Sequence, residues 1–328
     1  MFNGKTILIT GGTGSWGHEL VKQLLPKKPK EIRIFSRNEF SQVEMKRKFD
    51  NKLLTFIIGD IKEREELTKA CAGVDYIFHL AALKHVPVCE AQPVEALKTN
   101  VTGTQNVIEA ALANFVKTVV YISTDKAASP SNFYGMTKSI GEKLIIHANT
   151  FSSDTKFVCV RGGNVLGTNG SVIHVFKDQI KTKNQVGITD NNMTRFFLTL
   201  EDAINLLFKA TYESIGGEIF VMKMPTCKIV DLAQVLIESM GKKDVQFVQL
   251  GIRPGEKIHE ILFSEYESQT TIYFDEDYYV ILPTVEIQEI KEYYAKYKVV
   301  GMKDYHSNQS LMTKEEIKAL LRKGGFIE

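Results

Sequence analysis

Cysteine is scarce in this sequence, and the spacing of the cysteines is not typical of a metal site. Among 328 residues there are four, at Cys71, Cys89, Cys159 and Cys227. No CxxC or Cys/His ligand spacing connects them, which argues against a zinc site. We predict free thiols, no bound metal and a reducing cytoplasmic environment.

Long apolar runs and an excess of one charge are also missing. No stretch of about 18 apolar residues occurs, and residues 1–10 lack the features of a signal peptide. Lys and Arg total 41 against 39 for Asp and Glu, a formal net charge of +2, and the basic residues form no cluster. We therefore predict a soluble, cytoplasmic protein that binds neither nucleic acid nor a membrane.

Short β-branched runs alternate with amphipathic stretches through the first half of the chain. The strand-like runs are KTILIT, EIRIF, LLTFII, YIFHL, TVVYIS and KFVCVR. Strands separated by helices require right-handed crossovers and a parallel sheet covered on both faces. The sequence predicts a doubly wound α/β (Rossmann) sheet.

After Arg161 the elements become shorter and more mixed, which predicts a smaller mixed α/β lobe at the carboxyl edge of the sheet. We assign residues 1–165 and about 190–222 to a cofactor domain, and about 166–189 and 223–328 to a substrate lobe. Thr313 and Glu316 have the spacing of a capping box that opens a terminal helix.

A glycine pattern follows the first strand. GGTGSWG places Gly11, Gly14 and Gly17 between a predicted strand and a predicted helix. Glycines allow the backbone to approach a pyrophosphate that lies at the helix N-terminus. Isolated matches to this pattern are often simple turns, but the register with strand and helix favours a dinucleotide site.

The end of the second strand indicates which dinucleotide binds. Ser36 and Arg37 stand where an NAD enzyme usually has an acid, and a cationic fork there suits a 2′-phosphate. The alternative is a surface arginine at a strand end. Asp60, after the third strand, either contacts an adenine amine or caps a helix before Lys62.

A tyrosine and a lysine four residues apart follow the strand TVVYIST. On a helix, Tyr134 and Lys138 share one face. A neighbouring ammonium and a charged nicotinamide would both favour the phenolate, which is a base for alcohol oxidation. The pattern also arises by chance, but its place after the strand favours the functional interpretation.

These residues resemble the extended short-chain dehydrogenase/reductase family, over nearly the whole chain. Sugar dehydratases of the dTDP-glucose type have an Asp-Glu pair where this chain has Asp125-Lys126, and the Asp-Lys pair is similar to the UDP-N-acetylglucosamine 4,6-dehydratase group. Further matches to that group are IFSRNEFSQ, HLAALKHVPVCE, KTNVTGTQNV, RGGNVLGTNGSV and RPGEKIHE.

The resemblance implies NADP, a UDP-N-acetylglucosamine substrate, and a set of catalytic roles. Tyr134 is the base for oxidation at C4, and Thr124 hydrogen-bonds the C4 oxygen. Lys126 removes the C5 proton and Asp125 protonates the departing C6 hydroxyl. A neutral lysine requires a lowered pKa, which we expect the cofactor's charge to supply.

The resemblance also implies two binding sets. The cofactor set is Gly11, Gly14, Ser15, Trp16, Gly17, Ser36, Arg37, Asp60, Ile61, Ala81, Lys84, Tyr134 and Lys138. The substrate set is Lys84, Asn164, Arg195, Arg253 and Glu256, with the two arginines on the diphosphate. For His85 the sequence favours neither a role in the site nor a role in packing.

Two positions depart from the group. Gly162 stands where relatives tend to have a tyrosine, and His174 where they tend to have a proline; we expect His174 to be a partly buried helical residue rather than a substrate contact. The implied assembly is a homo-oligomer, a dimer or hexamer. C5 stereochemistry and the final glycan stay open.

Two other functions remain as alternatives. A UDP-sugar 4-epimerase or reductase would use Tyr134 and Lys138 without needing Asp125 and Lys126. A non-catalytic NADP-binding regulator would not need the complete Thr/Tyr/Lys set. A dehydratase that makes precursors for surface glycan or polysaccharide synthesis would account for all of these residues.

Overall fold

The structure, a computed structural model, describes residues 1–152, 154–168 and 170–328. Its strands are β1 (Thr6–Thr10), β2 (Glu31–Ser36), β3 (Leu54–Ile58), β4 (Tyr76–His79), β5 (Thr118–Thr124), β6 (Lys156–Gly162), β7 (Asn164–Val165), β8 (Gln185–Ile188), β9 (Thr194–Leu198), β10 (Ile219–Met222), β11 (Thr226–Lys228), β12 (Gln246–Gln249), β13 (Ile261–Phe263), β14 (Thr271–Tyr273), β15 (Tyr278–Ile281) and β16 (Tyr305–His306).

Helices connect most of these strands. They are α1 (Ser15–Leu24), α2 (Glu39–Phe49), α3 (Arg64–Ala70), α4 (Val86–Ala91), α5 (Pro93–Leu97), α6 (Gly103–Ala113), α7 (Phe133–Ala148), α8 (Val172–Lys183), α9 (Leu200–Glu213), α10 (Ile229–Ser239), α11 (Glu265–Ser268), α12 (Gln288–Tyr294) and α13 (Lys314–Lys323). Short helical turns cover Leu25–Lys27, Lys98–Thr102 and Asp125–Ala127. Among the described residues, no helix is long and apolar enough to cross a membrane.

A nine-stranded sheet forms the centre of the molecule, in the order β14-β15-β10-β6-β5-β4-β1-β2-β3. The seven strands from β10 to β3 are parallel to one another. Successive residues of β1 face opposite sides, so Leu8 joins one core while Ile7 and Ile9 join the other. The predicted doubly wound sheet is confirmed.

The remaining strands and three helices form smaller layers beside the sheet. The sheets are β11-β9-β7, β12-β8 and β13-β16. Helices α8, α10 and α13 bury a separate core that contains Phe176, Leu236 and Leu321. Thr313 and Glu316 form the predicted capping box at the start of α13. These layers are the smaller mixed lobe that the sequence predicts.

Strands β14 and β15 differ from the predicted arrangement. Residues 223–328 are predicted to belong to the substrate lobe, but β15 pairs antiparallel with β10 and extends the main sheet. All four residues of β15 are buried, and their pairing covers an edge of β10 that would otherwise be open. Conversely β9, within residues 190–222, pairs with β7 and β11. The division into two functional domains stays a prediction.

A buried ion cluster connects the sheet to its surroundings. The Arg161 side chain, on β6, is 1% exposed and donates to both carboxylate oxygens of Glu142 on α7. It also donates to Glu267 on α11 and to the carbonyl of Leu262. Because each partner belongs to a different element, this one guanidinium joins β6, α7 and the segment after residue 260.

Candidate active site

A cleft of about 730 Å³ lies at the carboxyl edge of the parallel strands. Its lining comes from the segments that directly follow β1, β2, β3 and β4 and from the ends of β5 and β6. Open α/β sheets bind ligands at this edge, because strand order reverses there and the loops diverge. All of the predicted cofactor residues line the cleft except Gly17, which is buried in α1.

Glycines shape the first turn of the cleft. Gly11 has a φ of 66°, and a Cβ there would lie 2.8 Å from the backbone of Ala81. A Cβ on Gly17 would overlap the carbonyl of Gly12, so α1 can begin this close to β1 only with glycine. Gly14 is the N-cap of α1 and provides no side-chain cap, which leaves the positive end of the helix to an anion.

The second strand ends with the predicted phosphate-binding pair. The hydroxyl of Ser36 accepts a hydrogen bond from Gln42 at 3.0 Å. The side chain of Arg37 is 58% exposed, and its guanidinium lies 3.8 Å from Asp60. Asp60 also accepts the backbone N–H of Lys62, two residues on, but it does not cap a helix, because α3 has Glu63 as its N-cap.

The predicted elimination pair follows the end of β5. The hydroxyl of Thr124 and the ammonium of Lys126 both donate to Oδ1 of Asp125, each at 2.9 Å. Asp125 is fully buried, and its Oδ2 has no hydrogen-bond partner among the described residues. One carboxylate oxygen is therefore committed within the protein and the other is available to a donor from a ligand.

Helix α7 brings the tyrosine and lysine to the cleft. Asn132 caps the helix by accepting the N–H of Gly135 at 2.8 Å. Tyr134 and Lys138 lie one turn apart and both line the cleft. The Lys138 Nζ lies over the ring of Tyr121, 3.9 Å from the ring centroid, and this contact restricts its position.

The pKa values of this pair differ from the expected direction. Burial raises the pKa of Tyr134 to about 12. Burial also lowers the pKa of Lys138 to about 7, although the charge of Glu142 opposes this. The charge of Lys126 lowers the pKa of Tyr134 as a neighbouring ammonium should, but removal from water outweighs it, and the effect of the nicotinamide's charge stays a prediction.

The protein's own carboxylates set the pKa of Lys126. Burial alone would lower it, but Asp125 at 2.9 Å and Glu260 at 3.4 Å outweigh burial and raise the pKa above its ordinary value. The protein therefore holds Lys126 as an ammonium. A neutral lysine base requires its proton to move to another group first.

The substrate residues fall into two groups. Asn164 and Lys84 line the cleft, and burial lowers the pKa of Lys84. Arg195 and Glu256 do not line the cleft. Arg195 is 6% exposed, donates to backbone carbonyls and lies 3.6 Å from Glu256. Arg253 is exposed on the loop before β13.

That loop is tied to the catalytic segment. The Ser131 hydroxyl and the Asn132 amide both donate to the carbonyl of Gly255 at 2.9 Å. Lys257 donates from its Nζ to the carbonyl of Ala128 at 2.8 Å. The predicted substrate loop and the segment that carries Lys126 are therefore held together.

Two residues of the site were not predicted. Glu260 contacts both Lys126 and Arg195. Asn100 accepts the N–H of Leu83 at 2.8 Å and donates to its carbonyl, which fixes the loop that carries Lys84. Glu260 is the last residue of RPGEKIHE, and Asn100 lies within KTNVTGTQNV. These motifs could have drawn attention to both residues, but spacing alone does not indicate what either side chain contacts.

The two departures from the family pattern have different outcomes. His174 is exposed on α8, with Nε2 3.1 Å from the carbonyl of Gly167, so the expectation of a partly buried residue is wrong. Gly162 pairs in register with Thr124, and a Cβ there would meet nothing within 4 Å. His85 lines the cleft.

Comparison with known proteins agrees with this geometry. A sequence model of a family described as "Polysaccharide biosynthesis protein" matches residues 7–282. The chain is 44% identical over 291 residues to a UDP-N-acetylglucosamine 4,6-dehydratase (inverting) of Campylobacter jejuni, covering 88% of this chain and 85% of that protein. It is 41% identical over 342 residues to a UDP-glucose 4-epimerase of Rickettsia canadensis, covering 100% and 98%.

A solved structure also matches over almost the whole chain. The X-ray structure of Pen from Bacillus thuringiensis superimposes with a TM-score of 0.91 at 39% identity, covering 98% of this chain and 99% of that one. The expected resemblance to nucleotide-sugar dehydratases is confirmed.

Proposed function

Because this chain belongs to the polysaccharide biosynthesis protein family, we propose that it is an NADP-dependent UDP-N-acetylglucosamine 4,6-dehydratase of the cytoplasm. Its product would be a UDP-4-keto-6-deoxy-N-acetylhexosamine for glycan synthesis. The observation that carries the proposal is that Lys126 and Tyr134 line one cleft and that Lys126 contacts the buried carboxylate of Asp125. The expected dimer or hexamer stays a prediction.

The cleft fits a dinucleotide. Gly11 leaves a cradle that a Cβ would fill, and the uncapped start of α1 offers amides to a pyrophosphate. Arg37 stands at the carboxyl end of β2, where it can contact a 2′-phosphate. When bound, a nicotinamide would supply hydride chemistry between C4 and C6 of the substrate, and its positive charge would favour the phenolate of Tyr134.

The oxidation requires a proton acceptor at the C4 hydroxyl. Tyr134 takes that proton, and the charge of Lys126, followed by the side chain of Thr124, lowers the pKa that burial raises. Lys138, one turn away, gains charge more easily as the phenolate forms.

The elimination requires one acid and one base, and Asp125 and Lys126 share one movable proton. A shift of that proton from Nζ to Oδ1, along the 2.9 Å contact, gives a neutral amine and a carboxylic acid. The amine of Lys126 then takes the C5 proton, and Asp125 protonates the C6 oxygen, which leaves as water. Lys126 later returns its proton to C5, and the proton from O4 restores Asp125.

The diphosphate of the substrate would be met by Arg195 and Arg253. Arg253 is exposed and free to turn toward a ligand, whereas Arg195 would exchange its contact with Glu256 for phosphate. Asn164 and Lys84 would contact the sugar side of the ligand from the cleft wall.

Incubation with UDP-N-acetylglucosamine and NMR of the product tests the proposal. The product should be a 4-keto-6-deoxy sugar, with solvent deuterium at C5 in deuterated water. A substrate labelled with deuterium at C4 should give a product with that deuterium at C6. Formation of a C4 epimer without loss of water would instead favour the 4-epimerase, an activity named for relatives 41% identical to this chain.

A further inference from the structure

Glu260 is held in place by its own backbone. Its N–H donates to the hydroxyl of Ser307 at 2.9 Å, and its carbonyl accepts the N–H of Ser307 at 2.9 Å. The residue is 2% exposed. The position of its side chain is therefore set by the pairing of the chain before β13 with the segment at Ser307.

One oxygen of the Glu260 carboxylate lies close to two cationic side chains. Its Oε1 lies 3.4 Å from Nζ of Lys126 and 3.7 Å from Nε of Arg195. Its Oε2 is buried and has no hydrogen-bond partner among the described residues. Burying a carboxylate oxygen without a hydrogen-bond donor to replace water costs free energy. A buried oxygen of this kind therefore needs an explanation, such as a polar contact with a ligand or a functional cation nearby.

We propose that Glu260 is a positioning residue for Lys126, which holds the amine beside Asp125 and stabilises its protonated form. This rests on the proposed function in one respect, that Lys126 is the group that takes and returns the C5 proton. Between these two events Lys126 is an ammonium while Asp125 has given up its proton. Glu260 keeps the proton on Lys126 during that interval, so that it returns to C5.

Several charged groups surround the amine. They are Asp125 on the same turn, Tyr134 on α7, Arg195 on β9, and Lys257 and Glu260 on the segment before β13. Of these, Asp125 and Glu260 favour the ammonium, and Arg195 opposes it. Replacing Glu260 by an amide removes one of the two favourable charges with little change of shape.

The direct test measures the free amine without any substrate. Lys126 has a side chain 22% exposed, so an amine-reactive acetylating reagent can reach it, and mass spectrometry of peptides can locate the product. An anion within about 4–6 Å shifts a pKa by roughly 1–3 units, so Glu260→Gln should accelerate labelling of Lys126 at pH 8 by roughly 10- to 1000-fold. An unchanged rate would overturn the proposal.

Two variants separate charge from packing. Glu260→Asp keeps the charge and should label Lys126 close to the wild-type rate. Glu256→Gln makes the same change four residues earlier, on a carboxylate that pairs with Arg195. In this variant too, Lys126 should be labelled as slowly as in the wild type. If both variants accelerated labelling as much as Glu260→Gln, loosened packing would be the cause and the proposal would be wrong.

A second measurement uses catalysis. In Glu260→Gln the pH profile of 6-deoxy product formation should shift to lower pH, because loss of a negative charge lowers both pKa values of the Asp125–Lys126 pair. A wild-type enzyme that made no such product would contradict the proposed function, while the labelling result would still decide the role of Glu260.

Discussion

The side chain of Lys126 lies between two carboxylates, which is an unusual place for a group that must accept a proton. Asp125 and Glu260 together raise its pKa, although burial opposes them. The same contact with Asp125 provides the route by which the amine loses its proton. The arrangement suits a group that must hold a proton for part of a reaction and release it for another part.

Replacing Lys126 by alanine should stop the elimination. The variant should fold and bind NADP, because the contacts that position α7 and the glycine turn do not involve the amine. General acid and base groups contribute about 10²–10⁴-fold, so 6-deoxy product should fall by that factor. The measurement is product NMR at fixed enzyme concentration.

A suitable control is Lys291→Ala, at a side chain 74% exposed on α12. It should retain wild-type activity. Near wild-type product formation by Lys126→Ala would show that another group removes the C5 proton.

Replacing Arg37 by alanine should reduce the preference for NADP over NAD. A charge-assisted contact with a phosphate contributes roughly 1.5–3 kcal/mol, so affinity for NADP should fall by about 10- to 100-fold while affinity for NAD changes little. Calorimetric titration with both dinucleotides measures this. Arg47→Ala, an exposed arginine on α2, should bind both like the wild type.

If the wild type bound NAD and NADP equally well, the role of Arg37 would have to be abandoned. Its contact with Asp60 would then be its main interaction.

At the scale of elements, the loop before β13 carries the predicted substrate contacts. Arg253→Ala should weaken UDP binding by roughly 10- to 100-fold, because the loss of a phosphate contact costs about 1.5–3 kcal/mol. Arg195→Ala should do the same and also free Glu256 and Glu260 from one cation. Titration with UDP tests both.

Arg322→Ala provides the control, since this arginine is exposed on α13. Wild-type UDP affinity in Arg253→Ala would remove that residue from the site without affecting the assignment of Arg195.

The Arg161 cluster should make a large contribution to folding. Glu142→Gln leaves the guanidinium with one charged partner fewer in a buried place, and breaking a buried pair costs about 3–5 kcal/mol. Urea unfolding should show a lower midpoint with an unchanged slope. Because pairing with Arg161 outweighs burial and lowers the pKa of Glu267, its contribution is present above about pH 4 and lost as the pH falls further.

The exposed pair Glu286–Lys291 offers a matched comparison, with side chains 94% and 74% exposed. Glu286→Gln should leave the unfolding midpoint unchanged. Equal midpoints for Glu142→Gln and the wild type would mean that the cluster contributes specificity and not stability.

The local sequence pattern correctly predicted the structural elements whose formation depends only on residues close together in the chain. The strand-glycine-helix unit at Gly11 and the cap of α13 at Thr313 follow from spacing and backbone geometry. The antiparallel addition of β15 could not be predicted, because it depends on which edge of the sheet remains open. The contact of Lys126 with Glu260 could not be predicted for a similar reason, since Glu260 lies 134 positions away in the chain and spacing carries no information on that distance.

At the scale of the whole molecule, the two parts of the site should respond to one ligand. Hydrogen bonds join Gly255 to Asn132 and Lys257 to Ala128, so UDP bound at the loop should also restrain the catalytic segment. At a UDP concentration of about 100 Kd, opening of residues 125–132 should become up to about 100-fold rarer. Hydrogen-exchange mass spectrometry measures this.

Helix α2, at the far edge of the sheet, is the internal reference for that experiment and should exchange at the same rate with and without UDP. Unchanged exchange of residues 125–132 would show that the contacts between loop and catalytic segment are not tightened by the ligand.

The pairing of β15 with β10 also has a consequence for synthesis on the ribosome. The seven parallel strands are all made when β10 ends at Met222, but β15 ends at Ile281, 59 positions later. At about 5–20 residues per second this interval lasts roughly 3–12 s. During that time β10 has an unpaired edge, and for most of it Arg161 lacks Glu267. The parallel part of the sheet is therefore completed by residues that are translated after all of its own strands.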